Sequence, residues 1–194
     1  MRGDAASMRL FVALVPPVSV TRHLETAVAP LRDRLPNLRW SNDAAWHLTC
    51  AFFGEVGEAR LAELQQRLGR AAARHDSMSL RFRGAGAFAR PARASVLFVG
   101  VETELPQISA LAASCSAAGR RIGLDVDDRP YRPHVTVARA KGREPVDMRS
   151  VVDELAGYEG PRWTASEICL IRSHLGPTPW YETVDSWQLR GSVQ

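Results

Sequence analysis

His47-Leu-Thr-Cys50 and His134-Val-Thr-Val137 both read His–apolar–Thr–apolar, and they lie 87 residues apart. The same interval relates other parts of the chain. Leu10-Phe-Val-Ala-Leu14 falls on Leu97-Phe-Val-Gly-Val101, the apolar-periodic stretch 18–35 falls on 105–122, and Ser79 falls on Ser166. Self-similarity at one fixed shift is the signature of a duplicated unit. In a strand, side chains alternate between faces, so each motif puts an imidazole and a hydroxyl on one face and two apolar groups on the other. Two copies about a pseudo-two-fold axis bring the two imidazoles to face each other across one cleft.

The elements repeat as well. Residues 9–15 read as a strand, broken by Pro16-Pro17. A helix follows, capped by Ser19 or Thr21, with Leu24, Val28, Leu31 and Leu35 on one stripe and a bend at Pro30. Strand 46–53 carries the first motif and ends at Gly54 and Gly57. A helix over 58–75 and a strand over 78–88, bent or bulged at Gly84 and Gly86, complete the first copy. The second copy has strand 95–101, helix 105–118 with Gly119 as C-cap, motif strand 133–139, helix 147–157 capped by Asp147, and strand 165–173. A last strand, 180–189, follows the turn 176–179. Strand–helix–strand–helix–strand twice predicts a bilobal, duplicated α+β fold. Two largely antiparallel sheets carry helices outside and a central cleft between them. Residues 1–8 read as a disordered polar extension, and 9–194 as one bilobal domain with pseudo-repeats at 9–90 and 95–190. A doubly wound nucleotide fold is disfavoured, because Gly84-Ala-Gly86 lacks a third glycine and a following helix.

Composition narrows the setting. Apolar residues make up 45% of the chain, enough for a packed core, and no run approaches the ~18 apolar residues of a membrane span. Cys50, Cys115 and Cys169 are an odd number without metal-type spacing. They read as buried, reduced thiols of a cytoplasmic protein, here expected to be a monomer without a membrane partner. The net charge of +4 suits an anionic partner. Of the 25 basic residues all but Lys141 are arginine, however, so compositional bias accounts for part of it.

The two motifs suffice for one chemistry. A neutral imidazole takes a proton from water and an imidazolium gives one to a departing alkoxide. The two threonine hydroxyls can bind non-bridging oxygens of a phosphate. A metal pair would need a third ligand. Asp43, Asp125, Asp127 and Asp128 are near in sequence, but none has ligand-type spacing, so neither metal nor cofactor is expected. Arg132, two residues before His134, shares its face by alternation and can fork onto phosphate. Arg139, five after, points the other way unless the strand bulges. Phe52 stands at the same offset from His47; it is either a core side chain or a platform for a base. His23 and His75 read as solvent-facing helix residues, and His174 has no evident partner.

These residues resemble the two-histidine phosphoesterase superfamily, specifically the RNA 2′,3′-cyclic phosphodiesterases historically called 2′-5′ RNA ligases. Carrying the resemblance are Arg9-Leu-Phe-Val-Ala-Leu-x-x-Pro17, Trp46-His-Leu-Thr-Cys-Ala-Phe-Phe-Gly54, Gly86-Ala-Phe88 with Pro91, Arg132-Pro-His-Val-Thr-Val-Ala-Arg139, and Leu170-Ile-Arg-Ser-His-Leu-Gly-Pro177. The resemblance implies hydrolysis of RNA 2′,3′-cyclic phosphate ends to 2′-phosphates, with RNA ends or cyclic nucleotides as ligands. It makes His47 the proton donor and His134 the acceptor. Thr49 and Thr136 become phosphate ligands, and Arg139 becomes a basic group near the phosphate. Cys50 stands where the family usually has an aliphatic residue. Competing expectations are another cyclic phosphate, the reverse 2′-5′ ligation, and a module that binds RNA ends without catalysis.

Overall fold

The computed structural model describes residues 7–142, 144–176 and 179–191. In chain order they form β1 (Ser7–Leu14), α1 (Val18–Val28), β2 (Leu38–Trp40), β3 (Leu48–Gly57), α2 (Glu58–Ala72), β4 (Met78–Arg90), β5 (Arg93–Glu102), α3 (Leu105–Arg120), β6 (His134–Ala140), α4 (Arg149–Glu154), β7 (Trp163–Ala165), β8 (Glu167–His174) and β9 (Trp180–Gln188). Among them no helix is long and apolar enough to cross a membrane.

Two antiparallel sheets result. The first runs β3-β1-β8-β9 and the second β2-β6-β5-β4-β7. The 87-residue shift carries β1 and β3 of the first sheet onto β5 and β6 of the second. The third strand of each repeat crosses over. β4, from the first repeat, pairs with β5, while β8, from the second, pairs with β1. Each sheet is therefore built from both halves of the sequence.

Alternation sorts the faces. On β1, Leu10, Val12 and Leu14 are buried in one contiguous core cluster that also takes in Leu97, Val99, Val135 and Val137 from the second sheet. Phe11 and Ala13 point the other way and join Cys169 and Ile171 in a small separate cluster on the opposite face of the first sheet. The helices α2 and α3 cover the core-side face of that sheet. Leu64 and Leu68 of α2 are fully buried. Gly119 of α3 lies so near Phe53 that a Cβ would come within 2.8 Å of its ring.

Several boundaries differ from expectation for identifiable reasons. α1 stops at Val28 because Pro30 opens a 3-10 turn, and neither Ser19 nor Thr21 caps its start. Thr21 instead donates to the Val18 carbonyl. Strand β3 continues through Gly54 to Gly57 rather than ending there. Gly119 lies inside α3, where its missing side chain serves packing, and the left-handed residue beyond the helix is Gly123, at φ +75°. Asp147 lies one residue before the N-cap of α4, and its carboxylate accepts the Arg149 backbone N–H. Ser7 and Met8, assigned to the polar extension, are the first residues of β1; residues 1–6 lie outside the described residues, as do Pro177 and Thr178 of the 176–179 turn.

Candidate active site

His47 immediately precedes β3, and His134 opens β6. Nδ1 of His134 donates to the Arg132 carbonyl at 2.7 Å. An imidazole N–H of His47 likewise donates to the Ala45 carbonyl. Ala45 and Arg132 are themselves 87 residues apart. A carbonyl can only accept, so it fixes the tautomer of the neutral ring and leaves the other nitrogen for a ligand. For His134 that nitrogen is Nε2.

Each imidazole also rests on a phenylalanine from the equivalent neighbouring strand. The Phe11 ring lies 4.5 Å from that of His47, and the Phe98 ring 5.5 Å from that of His134. A second aromatic meets each edge-on: Tyr181 at 5.0 Å from His47 and Phe88 at 4.7 Å from His134. Two ring contacts and a carbonyl hold each imidazole in one orientation. The sequence assigns a role to none of these four aromatics. The 87-residue shift pairs Phe11 with Phe98, Phe88 stands in the Gly86-Ala-Phe88 segment, and nothing marks Tyr181.

The offset of five that separates Phe52 from His47 and Arg139 from His134 is resolved by two bulges. In β6 the pairing with β5 passes from Thr136 to Ala138 without a partner for Val137. In β3 the pairing with β1 passes from Thr49 to Ala51 without a partner for Cys50. A surplus residue reverses the alternation beyond it. Cys50 and Ala51 are both buried, as are Val137 and Ala138, and Phe52 and Arg139 turn back to the face of the imidazoles. Strict alternation, which sent Arg139 away, is corrected here. The Arg139 charge acts on both histidines.

Arg132 is exposed, its guanidinium 4.8 Å above the Phe98 ring and 5.9 Å from the Phe88 ring. Phe52 is 39% exposed, too open for a core side chain. It stacks near Phe11 at 6.2 Å, with the Arg9 guanidinium 4.6 Å above it. Thr49 and Thr136 are half-buried, and among the described residues no protein group engages either hydroxyl. The Tyr131 hydroxyl, just ahead of β6, donates to the Thr49 carbonyl at 3.0 Å and ties the second motif to the first.

Electrostatics set the protonation state. Burial, with the charges of Arg139 and His134, lowers His47 to about 4. Burial, Arg132 and Arg139 lower His134 as well. Both rings are therefore neutral at pH 7. Burial pushes the Cys50 thiol up to about 12, so it is no nucleophile. All three cysteines are buried and free. Among the described residues no three His, Cys, Asp or Glu side chains gather into a metal-binding group.

The other histidines have partners too. His23 meets the Tyr158 hydroxyl at 3.0 Å, and His75 meets Ser114 at 2.8 Å rather than solvent alone. His174 bonds Glu182 at 2.8 Å and stacks on Trp180 at 3.7 Å.

A fold built from two exchanged repeats, with one His-x-Thr on each side, is distinctive, and comparison with known proteins agrees. The family model of the 2'-5' RNA ligase superfamily matches residues 16–177. The chain belongs to the 2'-5' RNA ligase superfamily. A superfamily member from Thermus thermophilus, named RNA 2',3'-cyclic phosphodiesterase, is 32% identical over 95% of this chain and 91% of its own. Another of that name, from Geobacillus stearothermophilus, is 30% identical over 81% of this chain, which spans about half of that relative's length. Among solved structures, a crystal structure of a Thermus thermophilus protein superposes with a TM-score of 0.76 at 27% identity, covering 95% of this chain and all of the other.

Proposed function

We propose that this chain, as one bilobal unit over residues 9–194, hydrolyses 2′,3′-cyclic phosphate ends of RNA to 2′-phosphates. The observation that carries the reading is the pair of imidazoles, each held by the carbonyl two residues before it and by a phenylalanine at the equivalent position of its repeat, with Arg139 acting on both. The names of the relatives support the substrate class.

Nε2 of His134 takes a proton from water as the water oxygen bonds to phosphorus. The bond from phosphorus to the 3′-oxygen breaks, and His47 gives its proton to that oxygen. The phosphate remains on the 2′-oxygen. In-line displacement needs the two proton carriers on opposite sides of phosphorus, the relation the two repeats supply. Thr49 and Thr136 donate to non-bridging oxygens, and Arg139 stabilises the charge that grows there. Arg132 holds the phosphate from the His134 side. Phe52, backed by Phe11, gives a face on which a base stacks. The anionic substrate favours the charged form of a nearby imidazole, which helps His47 hold the proton it gives up. Both proton transfers are met by side chains, so the step as written calls for no metal or cofactor. Cyclic nucleotides and RNA ends are the ligands, and a cytoplasmic monomer is the expected state.

The test is turnover of a 2′,3′-cyclic mononucleotide with separation of the product isomers. A predominant 2′-phosphate supports the reading. A 3′-phosphate reverses the roles of the two histidines, and no turnover removes the activity.

A further inference from the structure

On the side of the first sheet away from the cleft, α2 and α3 leave a groove of about 390 Å³ between them. Its position follows from alternation: Phe52 faces the cleft, and Phe53, its neighbour, packs against α3. One wall carries Arg67, Arg70 and Arg74, three and four residues apart and hence on one face of α2 and the turn that ends it. Arg121, at the end of α3, closes the other side. The α3 wall is otherwise small, with Ala113, Ser114 and Ala117, and that leaves the guanidiniums room.

The charges are unevenly balanced. Arg67 is neutralised by Glu63, which it binds through two nitrogens at 2.7 and 2.9 Å. Among the described residues Arg70, Arg74 and Arg121 have no carboxylate partner, in a protein where eight other arginines pair with one besides Arg67. At the edge of the groove His75 bonds the Ser114 hydroxyl at 2.8 Å, and its pKa is lowered by burial and by Arg74 and Arg190. The groove thus offers three guanidiniums without a carboxylate partner and the Ser114 hydroxyl, set among small alanine side chains. Guanidinium forks of this kind suit phosphate oxygens. Arg67 to Arg74 spans about 10 Å along the helix, of the order of three stacked nucleotides.

We propose that this groove binds the sugar–phosphate backbone of an RNA, apart from the nucleotide that enters the cleft. Choosing RNA as the occupant rests on the function proposed above. Backbone contacts of this kind add affinity without reading sequence. They let the protein prefer a polynucleotide over a cyclic mononucleotide although both present the same reacting group.

The test compares the wild type with the triple variant Arg70→Gln/Arg74→Gln/Arg121→Gln. A control triple, Arg22→Gln/Arg34→Gln/Arg149→Gln, removes the same formal charge elsewhere. One arm measures binding of a fluorescent RNA of about 20 nucleotides ending in a 3′-hydroxyl, at several salt concentrations, and needs no catalysis. The groove variant should bind roughly tenfold more weakly, with the slope of log K against log salt reduced by about two. The control should change far less. A second arm measures turnover of a 2′,3′-cyclic mononucleotide, which the groove variant should leave unchanged, and of the same RNA carrying a cyclic phosphate, whose KM should rise. A third arm titrates inorganic phosphate, to separate a free anion from a polymer. Unchanged RNA binding, an equal loss in the control, or a loss confined to inorganic phosphate would each overturn the proposal. If the wild type turns over no cyclic phosphate, the catalytic reading fails while the first arm still decides the groove.

Discussion

Cys50 and Val137 occupy the same place in the two repeats, and each is the unpaired residue of a β-bulge. Each lies directly after the motif threonine. The duplication therefore extends beyond residue types to a local defect of the strand, and that defect decides which side chains line the cleft. Without it, Phe52 and Arg139 would face the core.

Arg139→Ala should lower kcat by roughly 10²-fold, the scale of losing one charged donor at a transition-state oxygen. Arg139→Lys should restore only part of it, because an ammonium cannot fork onto two oxygens. The alanine substitution also removes a cation that depresses both histidines. Its kcat/KM profile should therefore shift to higher pH, as a pH series of initial rates will read.

His47→Ala and His134→Ala should each cost roughly two to four orders of magnitude in rate. The double variant should be little worse than either, since the two act on one transition state. Thr49→Ala and Thr136→Ala should cost less, each losing one hydrogen bond. Steady-state kinetics on the folded variants, with circular dichroism as the control for folding, separates these outcomes.

The depressed histidines make a prediction about stability. Their folded-state pKa values lie below the unfolded value, so the unfolded chain binds more protons as the pH falls. Stability should then be intact above about pH 6.5 and decline towards pH 4, the value to which His47 is lowered. Urea midpoints across that range will show it, and His47→Ala should flatten the decline. In kinetics, the bound phosphate raises the pair, so the bell for kcat should lie at higher pH than that for kcat/KM.

Gly86→Ala should impair catalysis without touching substrate. A Cβ there would stand 2.5 Å from the Phe98 ring, the ring on which His134 rests. Moving Phe98 moves the imidazole. The expected result is a fall in kcat larger than any change in KM, together with a lowered thermal midpoint. The companion variant Gly54→Ala meets no atom within 4 Å, but its φ of +65° is strained for alanine, so it should lose stability with kcat largely kept.

Tyr131→Phe should cost about 1 kcal/mol of stability, the usual net worth of a hydrogen bond. The Thr49 carbonyl loses the donor that ties it to the segment before β6. Denaturant unfolding measures the cost, and a matching rise in KM would show that the tie also sets the distance between the motifs.

Much of this arrangement is legible in the sequence because the repeat fixes equivalence. The interval of 87 locates both histidines and both threonines, and it also carries Phe11 onto Phe98. The bulges are not legible. Neither Cys50 nor Val137 is a residue that demands unusual backbone, and alternation alone gives Arg139 the wrong face. Strand β2 has no sequence signal, because three residues, Leu38–Trp40, are too few to show a period. It forms by pairing with the edge of β6, where it places Arg39 directly beside Arg139. Periodicity reports which side of a strand is apolar and is silent on which strand lies next to it. The crossing of β4 and β8 therefore left no trace. Glycine often marks a helix end, whereas the reason for Gly119 is the ring of Phe53.

The crossed third strands have a historical reading. A half-length chain with β1, α1, β3, α2 and β4 would leave β1 with an open edge and β4 with no sheet of its own. Two such chains satisfy both needs at once, each lending its last strand to the other. Such a symmetric pair would carry two equal histidines across its axis. Joined in one chain, the halves are free to differ at equivalent positions: Phe52 of the first repeat corresponds to Arg139 of the second.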